Sequence, residues 1–233
     1  MTSAASPRPD ADLRGLRAAH ALLLGELEAT DFDPAAPSRL PTWSIAHVIT
    51  HLARNADAVT GMFEAAARGE IGDQYPGGAA QRGGDIEAGA GRSRGVLLGD
   101  LATACARLDL ATTEADGEVW AHGVGRSVML GEVPLASWPF RRWREVEIHH
   151  ADLGLAFAPD DWSEAFVDRE WPLAIAQLGA RVSSGGLVLA PSGGNPITIG
   201  DGGVVVAGSS RELLAWMLGR AEIDGAPAIT PYP

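Results

Sequence analysis

The sequence predicts an α+β protein in which an N-terminal four-helix bundle is followed by a small C-terminal α/β domain with an antiparallel sheet. In the first part of the chain, long segments carry apolar residues at helical spacing, which favours amphipathic helices. After Ala158 the segments GLVLAPS, PITIGD and GVVVAGS are short apolar or alternating runs separated by glycine and proline. Such runs are typical of antiparallel strands. The predicted domains are residues 1–157 and 158–233.

Four helices are predicted in the first domain, and their limits follow from capping residues and from glycine and proline. Thr42 is the predicted N-cap of the second helix. A loop rich in glycine and proline is predicted over 71–84, and residues 119–133 are either a hairpin or an extended segment. The predicted helical ranges are 10–29, 42–69, 85–108 and 134–153.

In the second domain, an amphipathic helix is predicted over 161–180, ahead of the three strands. The segment SRELLAWMLGR predicts a closing helix with Ser210 near its N-cap. No internal repeat interrupts this organisation, so the chain is expected to contain one bundle and one small α+β domain.

Charge and composition narrow the class of protein. The net charge of −12 argues against a nucleic-acid partner and against binding to an anionic membrane surface. No segment is long and apolar enough to span a membrane. The start of the chain, MTSAASPRPDADLRG, lacks the apolar stretch of a signal peptide, so a cytoplasmic protein is expected. Cys105 is the single cysteine, which rules out both an internal disulfide and a zinc site built from several cysteines.

Two pairs of titratable residues have the spacing of metal ligands on helices. His47 and His51 are four residues apart, as are Glu145 and His149, and Asp152 lies one turn further on. Residues four apart share a helix face, and facing helices of a bundle can bring two such faces together. Two histidines and one carboxylate form a ligand set typical of catalytic zinc, although iron, nickel or cobalt would also fit.

Spacing alone leaves other interpretations open. A single histidine pair in a helix is more often structural than metal-binding, and Glu145 could instead pair with an arginine on the preceding turn. Glu147 and His150 fall on the other side of the same helix. Periodicity does not decide which of these faces points into the bundle.

Two motifs resemble a known family. WSIAHVITHLARNADA and REVEIHHADLG are similar to the two signatures of the DinB-like superfamily, in particular of its mycothiol-dependent maleylpyruvate isomerase branch. Their order and separation match, and the resemblance extends over nearly the whole chain. It implies a DinB-like bundle whose metal ligands are His51, Glu145 and His149, with Zn²⁺ or another divalent transition metal bound.

The resemblance also assigns the neighbouring residues. It implies that Glu145 and His149 face inward, so Glu147 and His150 are expected to be partly exposed. His47 is not a family ligand and is expected to have a packing role or a role behind the ligands. Asp152 is expected to orient His149 or to cap the end of the helix.

The resemblance further implies an isomerase that converts maleylpyruvate to fumarylpyruvate, in the degradation of aromatic compounds, with mycothiol as the thiol cofactor. A thiolate would add to the double bond, the bond would rotate, and the thiolate would leave. Arg220 matches an arginine that the family uses near the active site, and Arg82 corresponds to a second substrate arginine. Both suit a dicarboxylate substrate, because a guanidinium binds a carboxylate through two hydrogen bonds.

Two alternatives remain. The same residues would serve a mycothiol S-transferase that conjugates electrophilic small molecules, since only the fate of the adduct differs. In another class, the protein would be a metal-stabilised binding module without catalysis, in which His47 or Asp152 closes the site as a fourth ligand. No oligomeric state is predicted.

Overall fold

The computed structural model describes residues 8–182 and 185–230 of the 233-residue chain. The first residues of the polar N-terminal segment, on which the expectation of no signal peptide rests, lie outside the described residues. The chain divides into two units between Ala156 and Phe157. The division into domains 1–157 and 158–233 stays a prediction.

The first unit is a helical bundle in which α2 packs against α4 and α1 packs against α6. Its helices are α1 (Asp10–Ala29), α2 (Ile45–Ala67), α3 (Gly78–Ala90), α4 (Arg94–Glu114), α5 (Gly117–His122) and α6 (Trp138–Asp152). The predicted first helix matches α1, whose inward leucines, such as Leu23 and Leu27, are fully buried. Full burial of such a side chain contributes about 1.5–3 kcal/mol, so this stripe fixes the orientation of α1.

The N-cap of α2 lies two residues later than predicted. Ser44, not Thr42, is the N-cap, and its hydroxyl accepts the backbone N–H of His47. In return, the Ser44 N–H donates to Nδ1 of His47 at 3.1 Å, which completes a capping box. Thr42 instead has a positive φ of 69° in the preceding turn, so the prediction of Thr42 as the cap is wrong.

The predicted third helix is in fact two helices, α3 and α4. The chain leaves the helical path at Gly91, and Ser93 starts α4 with extended backbone. The prediction of a loop is wrong from Gly78 onward, because these residues form α3, which packs closely on α2. A Cβ atom on Gly89 would lie only 2.3 Å from Cγ2 of Thr50 in α2, so glycine permits this approach. Packing thus outweighs the low helix propensity of glycine.

A small sheet packs against α2 in the first unit. Its strands are β1 (Gly72–Asp73), β2 (Val124–Ser127) and β3 (Gly131–Pro134), in the order β1-β2-β3. β2 and β3 form an antiparallel hairpin, which is one of the two structures predicted for residues 119–133. The prediction is wrong for residues 119–122, which belong to α5. A short 3₁₀ helix, Leu135–Ser137, then leads into α6.

The second unit combines two helices with a three-stranded sheet. Its elements are α7 (Glu164–Arg181), β4 (Gly186–Pro191), β5 (Ile197–Gly200), β6 (Val204–Gly208) and α8 (Ser210–Met217). The order is β5-β4-β6; β4 and β5 pair antiparallel, as predicted, whereas β4 and β6 pair parallel. Ser209, the residue before the predicted Ser210, caps α8 through the backbone N–H of Glu212.

These elements confirm the predicted fold class, a helical bundle followed by a small α+β region that contains antiparallel pairing. Within residues 8–182 and 185–230, no helix is both long and apolar enough to cross a bilayer.

Candidate metal and active site

Helices α2 and α6 bring His51, Glu145 and His149 together. Nε2 of His51 lies 2.9 Å from Oε2 of Glu145, and Nε2 of His149 lies 3.6 Å from the same oxygen. All three potential ligand atoms lie within 4.8 Å of one another. Ligand atoms around one tetrahedral zinc ion are about 3.3 Å apart when the bonds are about 2.0–2.1 Å long. The cluster therefore has the size and the donor types that one metal ion requires.

The local sequence explains why the three side chains converge. Glu145 and His149 are one turn apart on α6 and so project from the same face. His51 projects from the opposing face of α2 and is only 1% exposed. The rings of His51 and His149 meet edge to face at 4.8 Å between centroids. The contact between α2 and α6 thus holds the three polar side chains against one another.

The protonation states suit metal binding. Burial is the largest influence on His51 and lowers the pKa of its imidazole to about 4, despite the hydrogen bond to Glu145. Burial alone would raise the pKa of Glu145, but the hydrogen bond to His51 and the electrostatic effects of His51, His149 and Arg142 outweigh it and hold this pKa below its ordinary value. At neutral pH, His51 is therefore a neutral imidazole and Glu145 a carboxylate, which are the forms that bind metals.

Asp152 supports His149 from behind. Its Oδ2 lies 2.8 Å from Nδ1 of His149, and the carboxylate is 2% exposed. A carboxylate accepts the Nδ1–H, so the lone pair of Nε2 points toward Glu145. This is the orientation of a histidine that is ready to bind a metal ion.

Arg82 lies on the other side of His51. This residue of α3 brings Nη2 to within 3.3 Å of Nδ1 of His51. Because a guanidinium only donates hydrogen bonds, Nδ1 is the acceptor in this arrangement and Nε2 carries the proton that faces Glu145. Metal binding through Nε2 requires the other tautomer, in which Nδ1–H no longer accepts from Arg82.

His47 lies outside the cluster. Its Nδ1 belongs to the capping box with Ser44, and its Nε2 lies 3.5 Å from Oε2 of Glu87. Both ring nitrogens are therefore engaged away from Glu145 and His149. This geometry agrees with a helix-capping and packing role.

The expectation that Glu147 and His150 are partly exposed is wrong. They are 5% and 2% exposed, respectively, because α1 packs over this side of α6. Nε1–H of Trp143 donates to Glu147 at 2.9 Å, and His150 contacts the carboxylate of Glu26 in α1. Burial raises the pKa of Glu147 to about 7. Sequence periodicity misses this because α6 is buried on more than one face.

Arg220 belongs to the second unit and follows the end of α8. Its backbone N–H donates to Ala215 O, and its guanidinium donates to Leu218 O, both at 2.8 Å. The left-handed turn at Gly219, with φ of 74°, ends the helix just before it. The role of Arg220 toward a substrate stays a prediction.

Two buried residues near the cluster, Arg142 and Tyr75, are not indicated as site residues by the sequence. Arg142, one turn before Glu145, is 1% exposed and donates to Oδ1 of Asn55 at 3.0 Å. The sequence presents it only as a possible partner of Glu145 on the preceding turn. Tyr75, in the loop between β1 and α3, is 6% exposed, and the charges of Arg82, Glu145 and Arg142 all affect its pKa. No motif marks Tyr75, since it stands among glycines and prolines.

Cys105 is buried in α4 and is no candidate nucleophile. Burial is the largest influence and raises the pKa of its thiol, although Arg142 from α6 approaches Sγ to 3.9 Å. A thiol with a raised pKa is mostly protonated at neutral pH and reacts slowly. Thiol chemistry would therefore have to come from a cofactor, as the sequence predicts.

Comparison with known proteins identifies the relatives of this chain. It resembles a crystal structure of a histidine-to-alanine mutant of the mycothiol-dependent maleylpyruvate isomerase, with a TM-score of 0.86, 23% identity, and coverage of 96% of this chain and 97% of that one. A second crystal structure of the mycothiol-dependent maleylpyruvate isomerase matches with a TM-score of 0.80, 26% identity, and coverage of 95% and 92%. A comparison with curated proteins finds no match.

At the level of sequence, residues 13–154 match the family described as the mycothiol maleylpyruvate isomerase N-terminal domain. The matched region contains both helices that meet at His51, Glu145 and His149. The chain therefore belongs to the mycothiol maleylpyruvate isomerase family through this N-terminal domain.

Proposed function

We propose that this protein is a metal- and mycothiol-dependent isomerase that converts maleylpyruvate to fumarylpyruvate. The observation that supports this most strongly is the cluster of His51, Glu145 and His149 inside a domain of the matching family. The two solved structures that this chain resembles are mycothiol-dependent maleylpyruvate isomerases. A cytoplasmic location is part of the proposal, because a thiol cofactor works in a reducing compartment.

The proposed metal ligands are Nε2 of His51, a carboxylate oxygen of Glu145 and Nε2 of His149. Zn²⁺ is the proposed ion, since two histidines and one carboxylate suit catalytic zinc and leave one position open. A metal ion at this position would supply the positive charge that keeps a bound thiol deprotonated at neutral pH. Asp152 contributes by holding His149 in the tautomer that binds metal.

The arginines are proposed to hold the two carboxylates of the substrate. Arg82 is available beside the cluster, because metal binding at His51 removes the acceptor that it faces at Nδ1. Arg220 is proposed as the second clamp. Rotation about the former double bond moves one end of the substrate relative to the other, so at least one carboxylate must shift once mycothiol has supplied the sulfur that adds reversibly to that double bond. The clamps are therefore proposed to orient the substrate for this addition.

The geometry does not favour a closed, non-catalytic metal site. Such a site would recruit His47 or Asp152 as a fourth ligand. His47 is tied to Ser44 and Glu87, and Oδ2 of Asp152 is bonded to His149. An open coordination position is therefore the better description of the proposed site.

The test is an assay of the zinc-loaded full chain with maleylpyruvate, with and without mycothiol, in which fumarylpyruvate is followed by absorbance and adducts by mass. We expect turnover that depends on mycothiol and leaves no lasting adduct. Glu145→Ala should be inactive, whereas His122→Ala, which removes an exposed histidine, should match the wild type. Accumulation of a mycothiol conjugate without isomerisation would replace this proposal by an S-transferase.

A further inference from the structure

Tyr75 has a buried hydroxyl, and its proton has no acceptor among the described residues. The residue is 6% exposed. The guanidinium of Arg82 lies close enough to influence the pKa of the phenol as a hydrogen-bond donor and as a positive charge, but it cannot accept a hydrogen bond from the O–H. Burying a hydroxyl group without a partner costs free energy, and a phenylalanine would fill the same space without that cost. The hydroxyl therefore needs an explanation other than packing.

The phenol is fixed in position by its loop. The backbone N–H of Gln74, just before it, donates to Arg126 O at 2.9 Å, which ties this segment to β2. Tyr75 O itself accepts the N–H of Gly78 at 2.8 Å, at the start of α3. With both sides of the residue anchored, the ring stays inside the bundle instead of turning out to reach water.

The hydroxyl lies beside the proposed active site. The charges of Arg82, Glu145 and Arg142 all act on its pKa, and Arg82 is the residue that reaches Nδ1 of His51. Burial is the largest influence and raises the pKa of Tyr75 to about 12. At neutral pH the phenol therefore keeps its proton and can donate a hydrogen bond.

We propose that Tyr75 Oη donates its hydrogen bond to the substrate, at the ketone oxygen conjugated with the double bond that isomerises. The inference rests on the proposed function and adds a catalytic residue to it. In the free protein, the Tyr75 O–H is then already in place to donate to an oxygen that becomes negatively charged during the reaction.

The reaction needs such a donor but no proton transfer. When the thiolate forms a C–S bond at the carbon β to the ketone, the π electron pair of the double bond moves onto the ketone oxygen as an enolate. The former double bond is now single and rotates. The pair then returns, the C–S bond breaks, and the thiolate leaves with the electrons that it brought. Tyr75 keeps its proton throughout and stabilises the enolate oxygen electrostatically.

Tyr75→Phe tests this role because it removes one oxygen atom and keeps the ring. In the zinc-loaded full chain with mycothiol, we expect kcat for maleylpyruvate to fall by about 100-fold, with little change in KM, since the bond is strongest to the charged oxygen. The zinc content should not change. The Tm of the protein without substrate or mycothiol should stay equal or rise, because an unpaired buried hydroxyl is lost.

Thr60→Val is the matched control, because Thr60 is 1% exposed and its hydroxyl is bonded to Ala56 O at 2.9 Å. Its loss should lower the Tm and leave kcat unchanged. A wild-type kcat in Tyr75→Phe, or a Tm that falls as in the control, would overturn the role of Tyr75 while leaving the isomerase intact. Absence of turnover in the wild type would instead overturn the proposed function, and the inference with it.

Discussion

Asp152 and His149 form the contact that prepares one side of the proposed metal site. The carboxylate oxygen lies 2.8 Å from Nδ1 of the imidazole, in a position that is almost inaccessible to water. His51, by contrast, has a guanidinium against its Nδ1. One of the two histidines is thus already in the metal-binding tautomer, and the other must exchange its proton between ring nitrogens when the ion binds.

Replacing Asp152 by asparagine should weaken the metal site without removing a ligand. The amide of the Asp152→Asn variant could turn its N–H₂ group toward Nδ1 and favour the wrong tautomer of His149, so we expect the affinity for Zn²⁺ to fall by about 10–100-fold. A competition titration with a chelating dye measures this affinity. Asp31→Asn, at an exposed position of the same unit, should bind zinc like the wild type. Equal affinity in both variants would show that Asp152 does not orient His149.

Substitutions of the two histidines of α2 should have different effects, one on zinc binding and the other on stability. His51→Ala should abolish retention of zinc, because it removes a proposed ligand. His47→Ala should retain zinc but lose about 0.5–1.5 kcal/mol of stability, because the bond from the Ser44 N–H to Nδ1 of His47 is lost. Metal analysis after dialysis and denaturant unfolding measure the two effects. The reverse pattern, with zinc lost in His47→Ala and kept in His51→Ala, would show that the ligand assignment is wrong.

Glu147 should make the stability of the metal-free protein decrease as the pH rises toward neutral. Its folded pKa of about 7 lies above that of the unfolded chain, so the folded state binds the extra proton and loses stability as the pH rises from about 4.5 to 7. Glu147→Gln still accepts from Trp143 but has no charge to bury. As the pH rises from about 4.5 to 7, the free energy of unfolding of Glu147→Gln should increase relative to that of the wild type by on the order of 3 kcal/mol.

Unfolding by urea across the pH range measures this gain. The exposed variant Glu64→Gln is the control and should follow the pH profile of the wild type. If the Glu147→Gln profile also runs parallel to the wild type, Glu147 is ionised in the folded protein at acidic pH, contrary to our account.

Arg82→Met should strengthen the binding of zinc and weaken the binding of the substrate. Without the guanidinium, His51 is free to adopt the metal-binding tautomer and the ion meets one positive charge fewer, so zinc should bind roughly threefold more tightly or better. Loss of a carboxylate clamp should raise KM for maleylpyruvate about 10-fold or more. Calorimetry and steady-state kinetics measure the two constants, with the exposed Arg68→Met as control. Weaker zinc binding in Arg82→Met would contradict the competition between Arg82 and the metal.

The sequence is most informative where a repeat of four residues on a helix fixes geometry. Glu145 and His149 have to share a face of α6, and only the choice of the inward face needs the family resemblance. The exposure expected for Glu147 and His150 is wrong because a second helix, α1, covers their side, and such packing leaves no periodic signal in α6 itself.

Other features depend on contacts distant in sequence. Intrinsic propensity favours a loop in the glycine-rich segment of α3. The segment is nevertheless helical, because it packs closely against α2 at Gly89. The parallel pairing of β4 and β6 likewise depends on the path of the chain through the sheet, which the alternation of apolar residues does not specify. Tyr75 stands in a loop, where no pattern relates its position to the cluster.

The most direct test of the central claim is a titration of metal-free protein with Zn²⁺, at saturating mycothiol and maleylpyruvate, in which the rate of fumarylpyruvate formation is measured after each addition. We predict that the rate rises linearly and reaches a plateau at about one equivalent of zinc, and that His149→Ala shows no rise. A full rate before any zinc is added, or no rate at one equivalent, would contradict a metal-dependent isomerase built on His51, Glu145 and His149.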